Sequence, residues 1–249
     1  MHLASYKGPL LLLAWQIAPV SVGPDSAGRF QVAVGWGGGQ FEDRSVDCNG
    51  DVVSARPVPF NSGGLQLDYW PSNQVRLSAF GGMLTEMRPF WVGDTLTENR
   101  VRSGWGGAQA ALESRYVGLG LGVASVPFQS LTEGNAHGTH PSAYVRFGSR
   151  DHVHFRADFL HPTTALGATG DVLRFGVGFS QGLRRGKRGF FGFSFSPYTD
   201  ESGHGGGLFG EFETPIAGRV DLSVGGSWRP SVEEFDGGIR AGLRYHFGR

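Results

Sequence analysis

Cysteine is nearly missing from this sequence. Cys48 stands alone, which excludes an internal disulfide, and no CxxC or Cys/His spacing offers a zinc framework. Lysine is almost as scarce, with Lys7 and Lys187 the two present, although arginine is plentiful. Net charge is absent as well: Lys+Arg and Asp+Glu both total 22, so no basic excess points to nucleic acid. The longest apolar stretch, around Leu10–Trp15, is too short for a spanning helix, which needs about 20 residues. A helical period is not found after Ala27, in keeping with 42 glycines among 249 residues, a content that disfavours long helices. The glycine-rich stretches "GWGGGQ" (Gly35–Gln40) and "HGGGLFG" (His204–Gly210) lack the Gly-Lys-Ser/Thr of a phosphate-cradling loop and precede no helix. Strand bends or close backbone approach account for them better.

What is present begins with a distinct leader. "MHLASYKGPLLLLAWQIAPV" places one lysine before a short apolar stretch and then small residues and prolines, the layout of a secretory signal. Residues 1–27 are therefore expected to be leader, with cleavage between about Ala18 and Ala27, and residues 28–249 to be one domain.

That domain alternates with a period of two, again and again. Phe30, Val32, Val34 and Trp36 share one parity, as do Val117, Leu119, Leu121 and Val123 against Gly118, Gly120 and Gly122. Val153, Phe155, Ala157 and Phe159 repeat the pattern, and so do Phe191, Phe193 and Phe195. About twelve such segments occur, ten to fourteen being compatible with the pattern. Tight connections (Pro71–Asn73, near Ser114, Gly148–Asp151, Gly182–Lys187, Pro215–Gly218) take turns with longer ones. The longer links are Asp43–Gly63, Leu84–Asn99, Pro127–Pro141, His161–Thr169, Tyr198–Gly205 and Pro230–Phe235. An all-β, antiparallel up-and-down transmembrane barrel predicts this asymmetry, with short periplasmic turns and long external loops. Both termini are then expected on the periplasmic side of a Gram-negative outer membrane.

The content of the second parity decides which face meets lipid. It holds Arg29, Asp68, Arg76, Glu113, Arg146, His154, Arg156, Asp158, Arg174, Glu211, Glu213, Asp221, Arg229, Arg240 and Arg244. Lysine is the usual cation of a solvated surface, whereas the planar fork of arginine suits crowded, interlocked ion pairs. These residues are accordingly expected to line a lumen, and the Phe/Val/Leu parity to face hydrocarbon. Within "GGIRAGLRYHFGR" the spacing of Arg240, Gly242, Tyr245 and Phe247 resembles the C-terminal assembly signal of bacterial outer-membrane barrels. It departs from that pattern in the two residues, Gly248 and Arg249, that follow the last aromatic. The resemblance implies recognition by the barrel-assembly machinery during insertion and names no single family.

Four functional readings arise. A passive pore or a structural barrel is the first, with a surplus of lumen arginine favouring anions weakly. Second, His140 and Ser142 resemble the His-x-Ser step of outer-membrane phospholipases and lipid A deacylases, which implies a rim-located hydrolase with His140 activating Ser142. The Asn-Gly that follows the serine in the phospholipase is here Ala143-Tyr144, and parity turns Ser142 inward, away from lipid. Third, the loop histidines His137, His140, His161 and His204 offer metal-ligand chemistry, although nothing else fixes a ligand set and no metal is expected. A soluble ligand-binding barrel is the fourth, at the level of fold class. No cofactor is expected; the partners implied are outer-membrane lipid and lipopolysaccharide around a monomer.

Overall fold

Alternation becomes strand wherever one side chain in two must meet hydrocarbon and every backbone group must be paired, and only closure leaves no edge unpaired. The computed structural model describes residues 3–5, 28–46, 52–92, 95–130, 134–150, 152–160, 172–180, 187–195, 206–230 and 235–247. Leu3–Ser5 (β1) is a three-residue strand paired with the far end of β2 at Arg44–Val46. The barrel staves are β2 (Arg29–Val46), β3 (Val52–Trp70), β4 (Val75–Val92), β5 (Thr95–Glu113), β6 (Val117–Ser130) and β7 (Gly134–Gly148). They continue as β8 (Val153–Leu160), β9 (Val172–Ser180), β10 (Arg188–Phe195), β11 (Gly206–Ala217), β12 (Val220–Pro230) and β13 (Phe235–Phe247). Each pairs antiparallel with its neighbour in sequence, and β13 closes on β2 from Phe247↔Phe30 to Gly237↔Gln40. The result is a closed twelve-stranded up-and-down barrel. The expected cleavage zone, 18–27, lies outside the described residues.

Tight turns gather at the rim that also carries Arg29 and Phe247, here called the terminal rim. Ser72 Oγ accepts from the amide of Val75 at 3.1 Å, and Ser114 Oγ accepts from the amide of Val117 at 2.9 Å, so hydroxyls hold two of these reversals. Gly148, at φ +104°, ends β7 in a conformation that a Cβ would oppose.

The far rim departs from expectation. Asp43–Gly63, Leu84–Asn99 and Pro127–Pro141 are not long loops; the strands run on through most of each, leaving only 47–51, 93–94 and 131–133 undescribed. Thus β2 to β5 reach 18 or 19 residues while β8 to β10 have eight or nine, close to the ~10 that a tilted strand needs to cross a bilayer. Beyond hydrocarbon neither parity has to be apolar, so Pro57, Pro59, Arg100 and Arg102 interrupt the alternation without ending the ladder. The links His161–Thr169 and Tyr198–Gly205 lie outside the described residues.

The two faces carry opposite chemistry. Phe155 and Phe193 are 63% and 67% exposed on the outer face, whereas Arg174 is 1% exposed within. Phe30 stacks on Tyr69 at 4.5 Å between ring centroids, and Tyr245 meets Phe247 edge-on at the same distance, which builds an aromatic collar at the terminal rim. Trp36 stands six residues above Phe30 and Trp228 eight above Val220, or roughly 15–20 Å along the barrel axis at usual strand rise and tilt, toward the far side of an outer-membrane apolar band. A soluble barrel would show the reverse, so that reading fails on the direction of its phenylalanines.

Candidate functional site: a neutral ion-pair network beside a glycine-rich wall

Inside the barrel, six arginines (Arg76, Arg146, Arg156, Arg174, Arg188, Arg244) and seven carboxylates (Asp68, Glu86, Glu113, Asp158, Glu211, Glu213, Asp221) are buried. Half-buried Arg240 evens the count. Half-buried Arg29 at the terminal rim then leaves a surplus of one arginine over the seven carboxylates; Glu86 belongs to a strand extension read as loop, and Arg188 adjoins a turn. Charges removed from water this thoroughly persist only when paired and hydrogen-bonded.

Pairing follows strand adjacency and then crosses the barrel. Arg146 Nη2 reaches Glu113 Oε2 at 3.0 Å, and the Tyr144 hydroxyl donates to the other oxygen of Glu113. Arg76 Nη2 donates to that hydroxyl at 3.1 Å from three strands away, and the Arg156 guanidinium lies 4.2 Å above the Tyr144 ring while pairing with Asp158 at 2.7 Å. Glu211 is clasped by Arg174 at 3.2 Å and Arg240 at 3.0 Å. Glu213 sits between Arg188 (3.5 Å) and Arg244 (3.3 Å), and Arg244 extends to Asp68 at 3.6 Å. His246 meets Asp221 at 2.6 Å near the terminal rim. Half-buried Arg29 shares that rim, and His154 lies over Gly178 on the inner face. The side chain of Arg229 lies outside the described residues.

Aromatic residues complete the filling, and alternation did not mark them. Phe190 and Phe209 share the parity of Arg188 and Glu211, pack against each other at 5.1 Å, and receive Arg174 over the Phe209 ring at 4.0 Å. Phe80 and Trp105 face inward from β4 and β5. Room for them comes from glycine: a Cβ at Gly120 would overlap the Tyr144 ring, and one at Gly176 would overlap Phe190. Side chains from β3 to β11 thus occupy most of the cross-section.

The remaining arc is sparsely filled, with Arg240 and Arg244 the long side chains it sends toward the cavity. Ala33, Gly35 and Gly37 on β2, Gly242 and Gly238 on β13, and Ser223, Gly225 and Ser227 on β12 share the inner parity and project almost nothing. Against this wall lies a cavity of about 90 Å³, bounded also by Glu211 and Glu213 of β11 and by Arg240 and Arg244 of β13 itself. Farther from the terminal rim, the same strands border a wider apolar recess of about 560 Å³ beside Phe209, Trp228 and Ile239.

The other candidate sites fare differently. Ser142 is buried on the inner face with Tyr144 and Arg146, turned away from the lipid side, and its hydroxyl has no hydrogen-bond partner among the described residues. The side chains of His137 and His140, and all of His161 and His204, lie outside the described residues. Among the described residues no group of three His, Cys, Asp or Glu side chains is placed to hold a metal.

No family model matches the chain, and no curated protein matches it in sequence. Among solved structures, an outer membrane channel from Pseudomonas putida F1 aligns with a TM-score of 0.59 at 11% identity, covering 93% of this chain and 100% of that one. The translocator domain of the autotransporter NalP from Neisseria meningitidis aligns at 0.53 and 14% identity, covering 95% of each chain. The transport unit of the autotransporter AIDA-I from Escherichia coli aligns at 0.50 and 11% identity, covering 97% of each. The likeness is one of fold: this chain has the architecture of the bacterial outer-membrane β-barrels.

Proposed function

We propose that this protein is a narrow, passive channel of the outer membrane, with its termini in the periplasm and its conducting path along the sparsely filled wall of β2, β12 and β13. The observation that carries the reading is the asymmetry of the lumen. Nine strands, β3 to β11, supply most of the interlocked side chains, whereas β2, β12 and β13 present mainly glycine, alanine and serine at the level of a cavity edged by Glu211, Glu213, Arg240 and Arg244. A purely structural barrel of this size has no need of a sparsely filled arc, since side chains fill smaller ones completely. A water occupies roughly 30 Å³ in the liquid, so this passage holds only a few and admits small solutes. The place of Arg240, Gly242, Tyr245 and Phe247 on the closing strand supports their reading as an assembly signal, with Tyr245 and Phe247 outward and Arg240 and Gly242 inward. Outer-membrane lipid and lipopolysaccharide then surround a monomer.

The refolded protein is expected to show discrete conductance steps in a planar bilayer, and Gly35→Phe to abolish them. A Cβ on Gly35 would come no closer than 3.5 Å to any neighbour, so the strand tolerates the change while the ring fills the cavity. Steps that persist undiminished in Gly35→Phe would place conduction elsewhere; a protein without steps is no channel. A second expectation concerns the barrel itself. Unboiled samples in denaturing detergent should migrate apart from boiled ones on a gel, because the closed ladder from β2 to β13 has no edge at which unfolding can begin.

A further inference from the structure

Every carboxylate whose side chain is described is buried, so the exposed charges among the described residues are all cations. Three of them gather at the terminal rim: Arg115 in the β5–β6 turn, Lys187 at the foot of β10 and Arg219 in the β11–β12 turn. Half-buried Arg29 and Arg150 stand at the same rim. Asp151, in the β7–β8 turn, lies outside the described residues. The nearest described carboxylates, Glu113 and Asp221, are 4% and 2% exposed and are held within by Arg146 and His246. We infer that the terminal rim is a docking collar for anionic phospholipid headgroups, with Arg115, Lys187 and Arg219 as its contact residues.

Height supplies the first reason. The aromatic collar of Phe30, Tyr69, Tyr245 and Phe247 marks the boundary between hydrocarbon and headgroups, and the turns that carry these cations adjoin it, where lipid phosphates lie. Fixed geometry supplies the second. The Arg115 guanidinium lies 5.4 Å from the centroid of the exposed Tyr116 ring. The Gly148 and Arg150 amides donate to the Tyr116 and Arg115 carbonyls at 2.9 and 3.0 Å, which braces one turn against the next. A cation on so fixed a turn loses little freedom when it meets a phosphate. Basic residues beside an anionic leaflet attract it over about a Debye length, whereas a zwitterionic headgroup brings its own ammonium and gains less.

The choice of phospholipid over lipopolysaccharide rests on the proposed orientation, with this rim in the periplasmic leaflet; the preference for anionic lipid does not. Full-length protein is refolded into phosphatidylcholine vesicles carrying a trace of spin-labelled phosphatidylglycerol or spin-labelled phosphatidylcholine. The motionally restricted fraction of each label gives their relative association. Phosphatidylglycerol is expected to be favoured about threefold or more, the advantage shrinking toward unity in about 1 M potassium chloride. The triple variant Arg115→Gln, Lys187→Gln, Arg219→Gln should lose the preference, and Arg115→Lys with Arg219→Lys should keep most of it. Arg100→Gln with Arg102→Gln, the exposed cations toward the far end of β5, should leave it unchanged. Equal restriction of the two labels in wild type, or a preference that survives the triple change, overturns the inference. Loss in the Arg100→Gln, Arg102→Gln variant moves the lipid to the other end of the barrel and overturns it too. Because the wild-type and salt measurements stand on their own, a triple variant that fails to fold does not shelter the inference. Orientation is read separately: with Cys48→Ala as background, Arg219→Cys in intact cells should resist a membrane-impermeant maleimide. Labelling there overturns the orientation, and with it the choice of phospholipid.

Discussion

Tyr144→Ala is expected to raise single-channel conductance several-fold and to lower the stability of the barrel by about 3–5 kcal/mol. The side chain is the junction of the plug. Its hydroxyl donates to Glu113 and accepts from Arg76 Nη2 at 3.1 Å, and its ring carries the Arg156 guanidinium at 4.2 Å. Removing it leaves the site void for a specific reason: its neighbour β6 presents only Gly118, Gly120 and Gly122 along that stretch of its inner face, so nothing from that side can collapse inward. The stability loss combines a cavity term with two buried hydrogen bonds, the second being costly because Glu113 and Arg76 stay behind, partly unsatisfied. Tyr144→Phe separates the effects. It keeps the ring and the obstruction, so conductance should stay near the wild-type value while stability falls by about 1–3 kcal/mol. Conductance from single channels and unfolding followed by gel shift read the two quantities independently. Equal conductance in Tyr144→Ala and wild type would mean that the plug does not limit flow.

How far the sequence discloses this arrangement depends on which contacts are local. The alternation of Val117, Leu119 and Leu121 against glycine is legible because hydrocarbon and lumen make opposite demands on successive residues, a constraint with a range of two. Asp68, Arg76, Glu113 and Arg174 are legible as interior by the same parity, once a charged set is judged unfit for the lipid side. Their partners are not. Arg76 meets Tyr144 across 68 positions of sequence and Arg174 meets Glu211 across 37, pairings fixed only when the barrel closes. Phe190 and Phe209 escape notice because "FFGF" and "LFGEF" set two large apolar residues side by side, and periodicity assigns only one of each pair to lipid. Their signal is on the neighbouring strands: Gly176 and Gly192 have no side chain at the same level, leaving a space only a large ring fills. The far hairpins were hidden for the opposite reason. Where both faces meet water the period loses its physical cause, and a strand reads as a loop.

Leu121→Arg is expected to be the most damaging change on the outer face, costing about 2–4 kcal/mol, while Ile239→Arg costs about 0–1. Both leucine and isoleucine are more than 70% exposed to the surroundings, so neither loses packing within the protein, and only depth distinguishes them. Leu121 is the fifth residue of β6 from the terminal rim, about 10 Å along the axis and near the middle of an apolar band roughly 25 Å tall. Ile239 is the ninth residue of β13 from that rim, paired with Gly226 and two positions short of Gly237, the partner of Trp228, where a long cationic side chain can extend to polar headgroups. Urea unfolding in phospholipid vesicles measures both differences. A soluble barrel would respond to neither substitution, since an arginine on a hydrated exterior costs almost nothing; equal and negligible effects would therefore remove the membrane from the account. A gradient of cost from Leu121 to Ile239 requires a low-dielectric slab centred between the collar of Tyr245 and Phe247 and the level of Trp36 and Trp228.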